Sequence, residues 1–152
     1  MLMEARELAR EVRCSVTVKL PREKAFRLFT ERMGSWWPMA THSVYEAEAA
    51  DVILEPGVGG RLYESTADGR TADWGTVTLW QPVERLAMTW HPGYEQERAT
   101  QVEVRFSEAP DGCTVVDLLH TGWELHGAET EEKASGYQTG WPIVLEHLVK
   151  AA

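Results

Sequence analysis

The chain has 152 residues, a length that suits one domain and that can bury a full hydrophobic core without disulfide support. It carries 15 lysine and arginine residues against 24 aspartate and glutamate residues, a formal net charge of −9. Such a charge repels polyanions, which argues against nucleic acid and anionic membrane surfaces as partners. We therefore expect a single acidic domain over residues 1–152.

The sequence also restricts location and inorganic partners. The two cysteines, Cys14 and Cys113, lack C-x-x-C spacing, which favours a reducing compartment. No apolar run approaches the roughly 20 residues of a membrane-spanning helix, and residues 1–11 do not resemble a secretory signal. The five histidines show no paired spacing. We expect a cytoplasmic protein with no membrane span, no metal site and no cofactor.

The first elements are a strand and a helix. Residues 10–20 alternate between apolar and polar side chains, which predicts a half-buried strand. Pro21 opens a helix, and Gly34 is expected to end it. Residues 35–50 form an aromatic loop, which we expect to pack back on the domain because exposed indole rings are unfavourable in water.

A meander of six strands follows, and a long helix ends the chain. The strands, separated by glycine- and proline-containing turns, are predicted at 52–55, 61–66, 74–81, 85–91, 100–107 and 114–121. The helix spans about 130–151, and Pro142 within it predicts a bend near Gly140 or a new helix starting at the proline. Alternation in the strands indicates one covered face, as in antiparallel sheets.

This order predicts an α+β fold of the helix-grip type. A seven-stranded curved antiparallel sheet would wrap around the long C-terminal helix, with a helix and the aromatic loop between strands 1 and 2.

Five segments, spread over most of the chain, resemble one known family. They are G-G-R-L-Y-E (59–64), D-W-G-T-V (73–77), P-V-E-R-L-A-M-T-W (82–90), G-C-T-V-V-D-L-L-H-T-G-W (112–123) and G-W-P-I-V-L-E-H-L (140–148). The family is the activator of heat-shock-protein-90 ATPase homologue-like domain of the START/polyketide-cyclase superfamily, also called SRPBCC, which shares the fold of birch-pollen allergen. The resemblance implies the helix-grip fold. It leaves activity open, because the superfamily includes binders, transporters, cyclases and co-chaperones.

The resemblance also suggests one possible protein partner, a chaperone. The eukaryotic co-chaperone of this family has an additional N-terminal domain that docks on the chaperone, and nothing before Arg10 could form one. We therefore do not expect chaperone activation, although chaperone binding remains an alternative.

Candidate ligand-binding residues follow from the strand parity. A one-residue shift in register would point every apolar side chain of a strand towards the solvent. Parity places Gly75, Val77 and Leu79 inward on one strand, and excludes Trp74 and Trp80. Trp123 is left out because it lies at a strand end. The residues expected around a cavity between sheet and helix are Trp36, Trp37, Arg61, Val77, Met88, Trp90, Val104, Phe106, Leu118, His120, Trp141 and Leu145.

Two polar candidates remain ambiguous. His120 ends an apolar inward series, and because an unpartnered buried imidazole is costly, it is either a structural histidine or a polar anchor in the cavity. Either Arg61 with Tyr63 or Leu62 with Glu64 faces inward. An inward Arg61 could receive a ligand carboxylate.

The leading hypothesis is non-catalytic binding of a small, largely apolar molecule such as a lipid or polyketide, with no catalytic residues. One alternative is a cyclase- or hydratase-like enzyme that uses His120 as acid or base. Another is a protein-interaction module of the co-chaperone type. The exposed sheet edges and numerous tryptophans leave a homodimer open.

Overall fold

The computed structural model describes residues 10–152. Seven antiparallel strands form one sheet in the order β1-β7-β6-β5-β4-β3-β2. The strands are β1 (Val12–Val18), β2 (Ala49–Leu54), β3 (Arg61–Thr66), β4 (Thr71–Gln81), β5 (Arg85–Trp90), β6 (Thr100–Ala109) and β7 (Cys113–Thr121). The helices are α1 (Arg22–Glu31), α2 (Met33–Trp36) and α3 (Thr130–Ala151), and shorter 3₁₀ turns lie at Glu46–Glu48, Gln96–Arg98, Pro110–Gly112 and Trp123–Glu129.

The predicted helix-grip fold is confirmed. The first strand pairs with the last one along its whole length, from Val12 opposite His120 to Val18 opposite Thr114. α3 follows β7 after the turn at Trp123–Glu129 and packs on β1. The long helix therefore lies over the inner face of the sheet, where the buried side chains of the strands also point.

The predicted helix end at Gly34 is wrong. The first helix ends at Glu31, where Arg32 leaves helical geometry with φ −128 and ψ 31, and α2 then contains Gly34. A Cβ at Gly34 would collide with the carboxylate of Asp51 on β2. The glycine thus permits close packing of a helix on a strand instead of stopping the helix.

A new helix at Pro142 is also wrong, since α3 continues from Thr130 to Ala151. Pro142 and Gln138, whose carbonyl loses its helical hydrogen bond to the proline, are both exposed. Water can satisfy that carbonyl, so the helix tolerates the proline.

β-bulges in β4 overturn part of the predicted parity. Leu62 pairs with Gly75 while Tyr63 pairs with Asp73, so Trp74 is an extra residue in the ladder. Trp74 and Gly75 are consecutive and both buried, which is the mark of a bulge. A second register shift lies between Val77 and Leu79.

The shifts change which β4 side chains enter the core. Leu79 pairs with the outward Ala87, so its predicted inward position is wrong. Trp80 pairs with the buried Leu86 and its ring lies 5.4 Å from that of Phe26. The outward side that parity assigned to Trp74 and Trp80 is therefore wrong, although only Trp74 lines the cleft described below.

Gly75 provides a test of the bulge. A Cβ at Gly75 would collide with the backbone oxygen of Thr89. Gly75→Ala should therefore lower the free energy of unfolding by about 2–3 kcal/mol, as for overpacked cores. Urea denaturation followed by circular dichroism measures this.

The matched control is Gly136→Ala in α3, where an added Cβ meets nothing within 4 Å. It should raise the free energy of unfolding by roughly 0.5–1 kcal/mol, since alanine favours helix more than glycine. Equal effects of the two substitutions would contradict the tight packing inferred at Gly75.

Candidate functional site

Indole rings fill the space between the sheet and α3. Six of the seven tryptophans have no more than 6% of their surface exposed. Trp37 is central to this cluster, with ring centroids 5.0 Å from Trp74 and 5.9 Å from Trp141. Trp90 lies 5.6 Å from Trp74 and 5.1 Å from Trp141. The aromatic loop therefore packs back on the domain, as predicted.

A cleft of about 860 Å³ remains open beside this aromatic cluster. It lies between the first half of α3, the loop at residues 37–44 and the turn at residues 92–93. Its apolar lining consists of the rings of Trp37, Trp74, Trp90, Tyr137 and Trp141 together with Val44, Pro92 and Val144. Polar groups also line it: Thr41, His42, Ser43, Glu129, Glu132 and Lys133. The site is an open cleft at the edge of the core.

Two glycines open the helical wall of this cleft. Gly136 and Gly140 are four residues apart, so they lie on one face of α3 one turn from each other. A Cβ at Gly136 would meet nothing within 4 Å, and one at Gly140 would lie 3.9 Å from Nε2 of His42. Any larger side chain at either position would project into space that the cleft now offers.

The opposite wall is held in place by Glu64, which has no exposed surface. Its Oε1 accepts hydrogen bonds from the Val44 amide at 2.7 Å and from the Trp74 indole at 2.6 Å. Its Oε2 accepts one from the Tyr45 amide at 3.0 Å. One buried carboxyl group thus joins the aromatic loop to the inward face of the sheet.

Glu64→Gln tests this anchor. A glutamine side chain has one oxygen and one NH₂ group, so at least one of the three N–H donors would face another donor instead of an acceptor. An unsatisfied buried donor costs about 1–3 kcal/mol. We expect a loss of that size in the free energy of unfolding, with faster hydrogen exchange at the Val44 and Tyr45 amides. Unchanged exchange at both amides would contradict the anchoring role.

His120 is fully buried, and both ring nitrogens are bonded within the protein. Nδ1 accepts a hydrogen bond from the indole of Trp141 at 3.0 Å. Because an indole N–H can only donate, the ring proton resides on Nε2, which lies 2.6 Å from Oγ1 of Thr100. Burial, with a smaller contribution from the field of His126, lowers the pKa of His120 to about 3. The structural alternative for His120 therefore fits the geometry better than a cavity anchor.

The low pKa of His120 predicts acid sensitivity. The folded state keeps this imidazole neutral down to about pH 3, whereas the ordinary pKa is 6.5, so the unfolded chain binds the extra proton in between. The free energy of unfolding should therefore fall as the pH drops from 6.5 towards 3. Between pH 7 and pH 4, His120 should account for about 3 kcal/mol of that loss.

Urea denaturation at several pH values measures this effect, and the reference is His120→Gln, which cannot titrate. The difference in stability between the two proteins should shrink, or reverse in sign, as the pH falls. Parallel pH profiles would assign the acid sensitivity to other groups.

The structure sorts the predicted site residues into three groups. Trp37, Trp90 and Trp141 line the cleft, where ligand contact stays a prediction for them. Arg61 is exposed on the outer face, 2.6 Å from Asp73, while Leu62 and Glu64 point inward, so an inward Arg61 is wrong. The remaining predicted residues are packed in the core and do not line this cleft: Trp36, Val77, Met88, Val104, Phe106, Leu118, His120 and Leu145.

The sequence reasoning missed several residues at the cleft. Trp74 reaches it because of the bulge, for which Gly75 inside a strand was an available signal. Trp123, also excluded, does not line the cleft and is fully buried against His120 with ring centroids 4.1 Å apart. Tyr137 completes the lining. Its hydroxyl accepts a hydrogen bond from the Trp90 indole at 3.1 Å, and burial raises the pKa of Tyr137 to about 12.

Within residues 10–152, no three or more histidine, cysteine, aspartate or glutamate side chains are grouped as a metal site would require. No helix in the same range is long and apolar enough to cross a bilayer.

Comparison of the chain with known proteins identifies one matching family. The family model described as Activator of Hsp90 ATPase homolog 1-like protein matches residues 19–152. No curated protein sequence matches the chain.

Several solved structures are similar to this chain. The anthrahydroquino-gamma-pyrone synthase Txn09 is 36% identical with a TM-score of 0.58, over 82% of this chain and 85% of that one. The Aha1 dimer from Colwellia psychrerythraea is 18% identical with a TM-score of 0.68, over 93% of this chain and 95% of that one. Protein MLL2253 from Mesorhizobium loti is 22% identical with a TM-score of 0.65, over 93% and 95%. The latter two show the fold alone, whereas the family and the similarity to Txn09 fit a ligand-binding domain.

Proposed function

We propose that this chain, which belongs to the family of Activator of Hsp90 ATPase homolog 1-like proteins, binds a planar aromatic small molecule in its open cleft. The observation that carries the proposal is the lining of that cleft, where four indole rings and one phenol ring border a space of about 860 Å³. Ligand sites are commonly concave, largely apolar and about 300–1,000 Å³ in volume. The cleft falls within that range.

Ring-shaped ligands suit this wall better than flexible chains. The indole rings are buried and fixed by their own packing, so they offer rigid flat surfaces against which another ring can stack or pack edge to face. A long acyl chain would need a deep channel between sheet and helix. The predicted walls of such a channel, including Val104, Leu118 and Leu145, are instead packed in the core.

The similarity to Txn09 supports a ligand of the aromatic polyketide class. That protein is named as an anthrahydroquino-gamma-pyrone synthase, and 36% identity extends over 85% of its chain. Cyclisation of such a compound is the second candidate function, which the same similarity favours. The predicted route through His120 is unsuitable for it, because both nitrogens of that ring are bonded within the protein.

The protein-interaction alternative has less support. It requires a large exposed apolar surface. In the part of the chain that the structure describes, the large hydrophobic residues that are exposed are Val44, Val58, Leu125 and Ile143. A homodimer and a cytoplasmic location stay predictions.

Anthraquinone, a planar three-ring compound, tests the binding proposal. It should quench the tryptophan fluorescence of the wild-type protein saturably, because the quenched indoles line the cleft. Gly136→Leu places a side chain in the cleft without a clash and should weaken binding at least tenfold. Isothermal calorimetry on both proteins checks the fluorescence.

The control is Thr139→Leu, which adds the same side chain to the exposed part of α3 outside the cleft lining. Its affinity should match the wild type. Saturable binding that survives Gly136→Leu would locate the ligand elsewhere. Tight binding of dodecanoate in place of anthraquinone would favour an acyl-chain ligand and overturn the aromatic proposal.

A further inference from the structure

We infer that His42 is the polar recognition residue of the cleft and selects aromatic ligands that carry a hydroxyl group. The inference rests on the proposed function and specifies its ligand class further. His42 lies in the loop between α2 and β2, and its side chain lines the cleft beside the aromatic rings.

Four contacts fix the position of His42. Its backbone amide donates to the Pro38 carbonyl at 3.0 Å, and its own carbonyl accepts a hydrogen bond from the Trp37 indole at 2.7 Å. Nδ1 of the ring lies 2.7 Å from Oγ1 of Thr41. The ring also faces α3 at Gly140. The indole of Trp37, which lines the cleft, therefore holds His42 in place. The imidazole ring is thus oriented before any ligand binds.

Nε2 of His42 is left available to a ligand. Among the hydrogen bonds of residues 10–152, none involves this nitrogen, in contrast to both ring nitrogens of His120. The residue opposite is Gly140, where even a Cβ would lie 3.9 Å from Nε2. Because glycine has no side chain, a ligand atom can approach the nitrogen from the cleft.

The charges around the cleft favour a neutral partner for this nitrogen. Glu129 and Glu132 line the cleft against one cationic side chain, Lys133. A ligand carboxylate would meet this acidic border, whereas a phenolic or enolic hydroxyl would not be repelled. A hydroxyl can both donate and accept, so it can bond Nε2 in either neutral tautomer of His42.

Two probes of the same shape separate this inference from the proposed function. 2-Hydroxyanthraquinone carries the hydroxyl group and anthraquinone lacks it. The wild-type protein should bind the hydroxylated compound about tenfold more tightly, the effect of one well-placed hydrogen bond. His42→Leu should abolish this preference while changing the affinity for anthraquinone by less than about threefold.

Two further variants control for the possibility that His42→Leu loses the preference through a general loss of structure. His42→Gln, which keeps a polar group on a side chain of similar reach, should retain part of the preference. His147→Leu replaces an exposed histidine of α3 outside the cleft lining and should behave as the wild type. Thermal unfolding of each variant confirms that it is folded.

The outcomes distinguish the two claims. If anthraquinone binds in the cleft but the hydroxyl group brings no gain, or if the gain survives in folded His42→Leu, the role of His42 is overturned and the proposed function stands. If neither compound binds to the wild-type protein, the proposed function fails, and the inference that rests on it fails too.

Discussion

The cleft depends on the buried carboxyl group of Glu64. A carboxyl group without exposure needs hydrogen-bond donors, and here they come from a loop about twenty residues earlier in the chain and from an indole on the next strand. Satisfying Glu64 therefore fixes two walls at once. The loop that carries His42 cannot move away from the sheet without leaving this group unpaired, so the fold holds the cleft open before a ligand arrives.

The sequence could predict the fold because its main signals are periodic. In β6, Val102, Val104 and Phe106 alternate with polar residues, and all three are buried as that pattern requires. The aromatic loop and the C-terminal helix were likewise readable from composition and spacing. Errors arose where a local irregularity interrupts the period. An extra residue at Trp74 and a second register shift between Val77 and Leu79 each interrupt the parity, so the rings of Trp74 and Trp80 lie on the side opposite to the predicted one.

The site was harder to predict than the fold for a different reason. The sequence pattern left open whether Arg61 or Glu64 faces inward, since nothing near Glu64 in sequence indicates the two amides that bond it. The size of the cleft depends on how the indole rings pack against one another. The amino-acid sequence alone does not determine that packing. The sequence therefore supplied three of the tryptophans at the cleft, whereas Gly140, which helps to open its helical wall, was considered only as the place of a possible bend.

The bonding of the polar groups limits the chemistry that this cleft can support. Ser43 is no free nucleophile, because its hydroxyl donates to the Met39 carbonyl at 2.6 Å and accepts from the Glu46 amide at 2.8 Å. The Thr41 hydroxyl is engaged with the ring of His42. A ligand therefore meets rigid aromatic faces, one imidazole nitrogen and a charged border. If cyclisation occurs here, those groups suit positioning and proton transfer. Covalent catalysis would require a nucleophile that these two hydroxyl groups, occupied as they are, do not provide.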